Sequence, residues 1–231
     1  MIKAVIFDMY ETLITHYGSP VYFGEEMARD AGIPKEKFYV HWRNASYDHQ
    51  RTIGKMTFEK LLEIILRENH CYSETLLELL VKKRISAKKE CFEHLHNEII
   101  PLLTSLREKG VFIGVISNCY LEEAEVIRKS ILFPYFDKVF LSCEQGTSKP
   151  DKEIFLRCMK AFEVSPEDCL YVGDGGSCEL ETARDLGMNA VQAVWYLKDE
   201  IKNQSKRMNN FSQAERPFDL FNMLSLYTQE K

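Results

Sequence analysis

The chain has 231 residues, room for one large domain or for a core that carries a smaller insertion. Apolar residues make up 45% and charged residues 28%, and 30 Lys and Arg against 35 Asp and Glu leave a formal charge of −5. These values exclude a disordered or fibrous chain, and they provide no overall field that would draw nucleic acid or an anionic membrane. The apolar run over residues 2–7 stops at Asp8 and reads as a strand buried on both faces. Residues 16 to about 92 then carry helical patterns, as over 57–69 and 75–84, and no convincing strand. From there helical spacing over 102–109, 121–130, 153–162 and 179–186 alternates with apolar runs over 111–117, 138–142, 169–172 and 189–194. Such alternation predicts an α/β chain of βαβ units with a parallel sheet. Residues 198–215 are polar and aperiodic and read as a long loop. Residues 217–227 place Phe218, Phe221, Leu224 and Leu226 at near-helical spacing, as a last helix closing the core.

The expected organisation is therefore an α/β core of residues 1–15 and 93–231, with a small all-helical domain over 16–92. Ligands of open parallel sheets bind beyond the C-terminal ends of the strands. An insertion that leaves the end of the first strand would sit over that site as a lid. The seven cysteines are odd in number and contain no CxxC pair, which speaks against a disulfide framework or a structural zinc site. Free thiols suit a reducing compartment, and the first apolar run is too short for a signal peptide or a membrane span. The expectation is a cytoplasmic protein.

Four elements with chemical potential fall at the C-terminal ends of predicted strands. Asp8 follows the first strand; a carboxylate there can attack a substrate, bind a cation or cap a turn. Ser117-Asn118 follows the second, where a hydroxyl and exposed amides can cradle an anion. Lys149, restrained by Pro150, can point into a cleft. Asp174 stands in the glycine-rich turn Gly173-Asp174-Gly175-Gly176, with Glu179 five residues on. Acids gathered at one sheet mouth repel and raise each other's pKa unless a cation joins them, and hard oxygen ligands suit magnesium.

In order and spacing, FDMYETL, VISN, SKPDKEIF and YVGDGGSCELETARDLGM resemble the four motifs of the haloacid dehalogenase superfamily of hydrolases. The resemblance covers residues 1–15 and about 93–195, and extends to the position and helical character of the insertion, the family's cap; it implies a Rossmann-like parallel sheet core with helices on both faces. It implies Asp8 as nucleophile and metal ligand, Thr12 and Ser117 binding the transferred group, and Asn118 shaping the pocket. It implies Lys149 neutralising charge, Asp174 binding Mg2+ with Glu179 doing so directly or through water, and the Tyr10 carbonyl as a further ligand. The chemistry it implies is attack by Asp8 followed by hydrolysis of the aspartyl intermediate.

Two motifs disagree. The family's phosphatases carry a second Asp two residues after the nucleophile, as acid and base; here that position is Tyr10, as in the family's 2-haloacid dehalogenases, whose halide needs no proton. Trp42-Arg43 likewise resembles a dehalogenase pair in which the Arg meets substrate; its plainer reading is a surface Arg beside a core Trp. Gly173-Asp174 and Glu179 are the metal-binding version of the fourth motif, which a metal-free enzyme would carry at a cost in repulsion. Glu11 replaces a usual Gly and could supply a proton. The grouping of acids carries more weight. The expected activity is a magnesium-dependent phosphatase on a small phosphorylated metabolite, as monomer or homodimer. A metal-independent 2-haloacid dehalogenase and a low-turnover ligand-binding member are the alternatives.

Overall fold

The structure, a computed structural model, describes residues 1–198, 201 and 204–229. In chain order, β1 (Ala4–Phe7) is followed by five helices, α1 (Gly24–Asp30), α2 (Lys35–Trp42), α3 (Ala45–Thr52), α4 (Phe58–Glu68) and α5 (Glu74–Glu90). The alternating part follows: α6 (Ile99–Glu108), β2 (Phe112–Ser117), α7 (Leu121–Arg128), β3 (Lys138–Leu141), α8 (Ser142–Gln145), α9 (Lys152–Phe162), β4 (Cys169–Gly173), α10 (Glu179–Asp185) and β5 (Asn189–Ala193). The short β6 (Ser212–Ala214) and α11 (Asp219–Gln229) complete it.

The apolar runs become strands for the expected reason. Every residue of β1 and β4 is buried, so these strands need cover on both faces. The sheet is parallel, in the order β3-β2-β1-β4-β5-β6. One apolar cluster joins Val5, Phe7, Leu102, Val115 and Leu170 on one face. The other joins Ile6, Ile116, Phe155, Tyr171 and Leu180. The strand order turns back at β1, the position in open sheets where a ligand crevice forms. Phe7 pairs with Val115 on β2 and with Val172 on β4. That register brings Asp8, Ser117 and Asp174, each just past these pairs, to the same edge.

Residues between β1 and α6 pack a third apolar cluster of their own, built on Met27, Phe38, Phe58, Leu61, Ile65 and Leu80. α4 shows why it forms. Thr57 caps it by accepting the Lys60 N–H at 3.2 Å, and its apolar stripe of Phe58, Leu61, Leu62, Ile65 and Leu66 is wholly buried. Each such side chain contributes about 1.5–3 kcal/mol. This helical segment meets α7 through buried ion pairs: Arg51–Glu122 at 2.9 Å, Arg84–Glu123 at 2.9 Å and Lys88–Glu123 at 2.6 Å. Gly54, at φ +73°, lies so close to α8 that a Cβ would overlap the carbonyl oxygen of Cys143.

Two expectations are corrected. The stretch 198–215 is not loop throughout: Ser212–Ala214 adds a sixth strand beside β5. Three residues with Ser212 exposed make an edge strand and show no apolar run. α5 runs past residue 84 to Glu90, because its basic residues Arg84 and Lys88 are buried against Glu123 instead of solvated. α2 and α3 are separate helices: the chain breaks at Arg43, and Asn44 caps α3 by accepting the N–H groups of Ser46 and Tyr47. The side chain of Leu226 and residues 230 and 231 lie outside what the structure describes. Among the described residues no helix is long and apolar enough to cross a membrane.

Candidate active site

Three buried carboxylates meet at the sheet's C-terminal edge. One oxygen each of Asp8, Asp174 and Glu179 lies within 4.8 Å of the others. β1 delivers Asp8, whose N–H still continues the ladder to the Val172 carbonyl at 2.8 Å. β4 delivers Asp174, and Glu179 opens α10. Both oxygens of Glu179 are in use, accepting the N–H groups of Gly175 and Ser177 at 2.8 Å each. The carboxylate thus shapes the glycine-rich turn as it joins the cluster. It approaches so closely that a Cβ on Gly173 would lie 2.7 Å from its Oε1. Glycine is required there.

Lys149 supplies the opposite charge. Its ammonium donates to Asp8 Oδ1 at 2.6 Å and to the Tyr171 hydroxyl at 3.3 Å, and lies 4.0 Å from Glu179. Asn118 fixes this lysine by accepting its backbone N–H at 2.8 Å and donating to its carbonyl at 2.9 Å. Burial, with Glu179 and Asp174 nearby, pushes the Asp8 carboxyl up to about 7 although Lys149 opposes it. Burial and Glu179 push Asp174 up to about 6 against its bonds from Ser205 and Gly176. Burial disfavours the charge on Lys149, yet Asp8 and Glu179 outweigh it and hold its pKa above the ordinary value. A site with three acids and one base is short of positive charge.

The hydroxyls of Thr12 and Ser117 are buried at the same strand ends and have no hydrogen-bond partner among the described residues. Buried polar atoms are rarely left so. A cleft of about 200 Å³ opens over Asp8, with Asn118, Lys149 and Asp174 along it and Tyr10, His16 and Tyr17 beside them. Tyr10 stacks on His16 with ring centroids 4.3 Å apart and planes 14° apart.

Two sequence expectations fail in this geometry. Arg43 is exposed, over the ring of Tyr39 at 4.3 Å, and is not among the residues lining the cleft; the surface-Arg reading holds. Glu11 has no proton to give. It stands at φ +58°, and its oxygens accept the Thr15 hydroxyl at 2.8 Å, the His16 N–H at 2.9 Å and the Gln204 amide at 2.6 Å. Burial opposes its charge, but these bonds hold its pKa below the ordinary value.

Other residues of the site were not legible in sequence. Ser205 donates to Asp174 Oδ2 at 2.6 Å, and Gln192 donates to the Asp174 carbonyl at 2.9 Å and to that of Lys206 at 2.8 Å. Trp195 donates its indole N–H to the Thr12 carbonyl at 2.8 Å. His16 was signalled only by its closeness to Asp8 in the chain. Burial and Lys88 lower its pKa to about 4, so its imidazole is uncharged at neutral pH.

A parallel sheet with a nucleophile candidate, a lysine and paired acids at its switch point defines a hydrolase of one superfamily. The chain belongs to the haloacid dehalogenase-like hydrolases, whose family model matches residues 2–187. Among curated proteins it is 26% identical over 199 residues to the glyceraldehyde 3-phosphate phosphatase of Methanopyrus kandleri, covering 83% of this chain and 84% of that one. Among solved structures, the 2-haloacid dehalogenase of Pseudomonas syringae pv. Tomato superposes with a TM-score of 0.67 at 21% identity, covering 98% of this chain and 100% of that one. The HAD phosphatase of Thermococcus onnurineus superposes with a TM-score of 0.66 at 20% identity, covering 96% of this chain and 98% of that one. These last two are likenesses of fold, and they do not separate the two chemistries.

Proposed function

We propose that the protein is a magnesium-dependent phosphatase of a small phosphorylated metabolite, working through an aspartyl-phosphate intermediate. The observation that carries this reading is the meeting of Asp8, Asp174 and Glu179, all buried, beside one lysine. Carboxylates so placed repel, and a divalent cation offsets what Lys149 leaves. The donors fit the ion: hard oxygens suit magnesium, here the carboxylates of Asp8 and Asp174 and the backbone carbonyl of Tyr10, with Glu179 acting from behind because both its oxygens already hold backbone N–H groups. Bound there, magnesium would neutralise charge on the phosphoryl group.

The protein's own residues do the rest. Asp8 attacks phosphorus, and Lys149 orients the carboxylate and balances the charge of the substrate. The partnerless hydroxyls of Thr12 and Ser117 supply donors for the phosphoryl oxygens. Asn118 acts through its grip on Lys149, and Tyr10 forms a wall of the substrate cleft. Arg43 has no part in this reading. Residues 16–92 serve as a helical cap over the core of residues 1–15 and 93–231, and the protein works in the cytoplasm as monomer or homodimer. The similarity to a sugar-phosphate phosphatase supports a small phosphomonoester.

Tyr10 favours a second reading, metal-free dehalogenation of a 2-haloacid. Two observations count against it: the acidic cluster, and the position of Arg43 outside the cleft. A phosphate-release screen over phosphorylated metabolites, with magnesium and with chelator, tests the choice. Magnesium-dependent release supports the phosphatase. Halide release from a 2-chloro acid in chelator, with no phosphate release anywhere, sinks it.

A further inference from the structure

We infer that the substrate is a phosphomonoester whose bridging oxygen sits on an sp² carbon, an enol or phenol phosphate with a small planar leaving group. This rests on the phosphatase reading and narrows it.

The first ground is the supply of protons. An alkoxide leaving group must be protonated as it departs, and a positioned acid typically contributes about 10²–10⁴-fold. Of the carboxylic acids lining the cleft, Asp8 is the nucleophile and Asp174 a metal ligand in the phosphatase reading, which leaves Glu11. The position two after Asp8 holds Tyr10, and Glu11 is engaged by Thr15, His16 and Gln204. The ammonium of Lys149 is spent on Asp8. Both ring nitrogens of His16 are committed, Nδ1 facing Glu11 at 3.3 Å and Nε2 facing Lys88 at 2.5 Å. A phenolate or enolate, with its charge delocalised, can depart unprotonated.

The second ground is shape. Asp8, Asn118, Lys149 and Asp174 occupy the phosphoryl end of the cleft, and the rest of its lining is Tyr10, His16 and Tyr17 with Glu11, Gly176 and Ser177. Tyr10 and His16 are stacked 14° from parallel, and Tyr17 stands edge-on to His16 at 6.4 Å. Flat π surfaces of this kind receive a planar group by stacking. The cleft of about 200 Å³ suits a small leaving group of roughly one ring beside the phosphate.

The reaction balances without a protein acid. A carboxylate oxygen of Asp8 forms a bond to phosphorus as the bond to the bridging oxygen breaks, and that oxygen leaves with the electron pair. Water then attacks phosphorus and the aspartyl oxygen leaves as carboxylate. One proton of the water remains on the phosphate product and the other reaches the phenolate or enolate through solvent.

Phenyl phosphate and cyclohexyl phosphate have the same size and charge and differ in leaving-group basicity and planarity. With magnesium, kcat/KM should favour the phenyl ester by at least about 10²-fold, and Tyr10→Asp should narrow that ratio by raising the rate on the cyclohexyl ester. Phenylphosphonate should inhibit the unmodified protein about 2- to 10-fold more tightly than cyclohexylphosphonate, the range of one aromatic contact. Similar kcat/KM on both esters, or a ratio unmoved by Tyr10→Asp, overturns the inference and leaves the phosphatase standing. So does equal inhibition by the two phosphonates, which is measurable even if the Tyr10 variant does not fold. No phosphate release from either ester, nor from any metabolite in the screen, removes the phosphatase reading and this inference with it.

Discussion

Asn118 grips Lys149 at both polar groups of its backbone, accepting from its N–H at 2.8 Å and donating to its carbonyl at 2.9 Å. The lysine in turn reaches Asp8 at 2.6 Å, so a residue of β2's loop sets the position of a charge that arrives from another loop. Loss of such support displaces a group without deleting it. Asn118→Ala should lower kcat on an aryl phosphate by about 10–100-fold with little change in magnesium affinity. Asn118→Asp, which keeps the acceptor and loses the donor, should fall between. Unchanged steady-state kinetics in both variants would show that Lys149 holds its place unaided.

Asp8→Asn should abolish turnover, since an amide is a poor nucleophile and brings no charge to the cation. Phosphate release by a preparation checked for deamidation by mass spectrometry is the measurement. Retention of more than a few per cent of the rate would mean that the attacking atom lies elsewhere.

Magnesium should stabilise the protein more at high pH than at low. The Asp8 and Asp174 carboxyls stand at about 7 and about 6, raised by burial and by their neighbours. Their ordinary pKa is near 3.9, so the folded chain keeps protons that the unfolded chain releases. Their contribution to stability is therefore present at low pH and is lost as pH rises through about 4 to 7. A cation binds the ionised pair and reverses that loss, but at pH 5 it must compete with protons. The rise in Tm on adding magnesium should be clearly larger at pH 8 than at pH 5. Equal rises, or none, would count against a cation at these acids.

The helical segment is tied to α7 by Arg51 and Glu122, which are 1% and 8% exposed. Glu122→Ala would strand a guanidinium away from water, at a cost of about 3–5 kcal/mol. Urea unfolding should show that loss. Arg51→Met combined with Glu122→Leu should recover much of it, because no charge is then left buried. A double variant as unstable as the single one would mean that stacking of the Arg51 guanidinium on Tyr120, with Cζ 3.7 Å from the ring centroid, matters more than its pairing with Glu122.

The sheet was legible in the sequence wherever burial on both faces forced a run of apolar residues, as in Ala4–Phe7 and Cys169–Gly173. Ser212–Ala214 carries no such signal, since an edge strand of three residues needs cover from neither an apolar run nor a second partner. The first turn of the site was legible through Asp8, and the fourth through Asp174 and its glycines, because those residue types are costly unless used. Ser205 and Gln204 were not, since a polar loop residue reads the same whether it faces solvent or a carboxylate 31 or 193 positions away. Arg84 and Lys88 fall in a basic stretch that reads as a solvated helix face. Only the fold brings Glu123 against them. Arg43 shows the opposite error: a dipeptide likeness suggested substrate contact, and the chain places it on Tyr39.

The bond from the Trp195 indole to the Thr12 carbonyl gives the protein an optical property. The chain has two tryptophans, and the other, Trp42, lies in the helical segment against Phe38 and Phe58. In a Trp42→Phe background every photon of indole emission would come from a ring hydrogen-bonded to the turn that carries Asp8. Its wavelength and quenching would follow changes in that turn directly, so binding of phosphate analogues could be timed by stopped flow without a label.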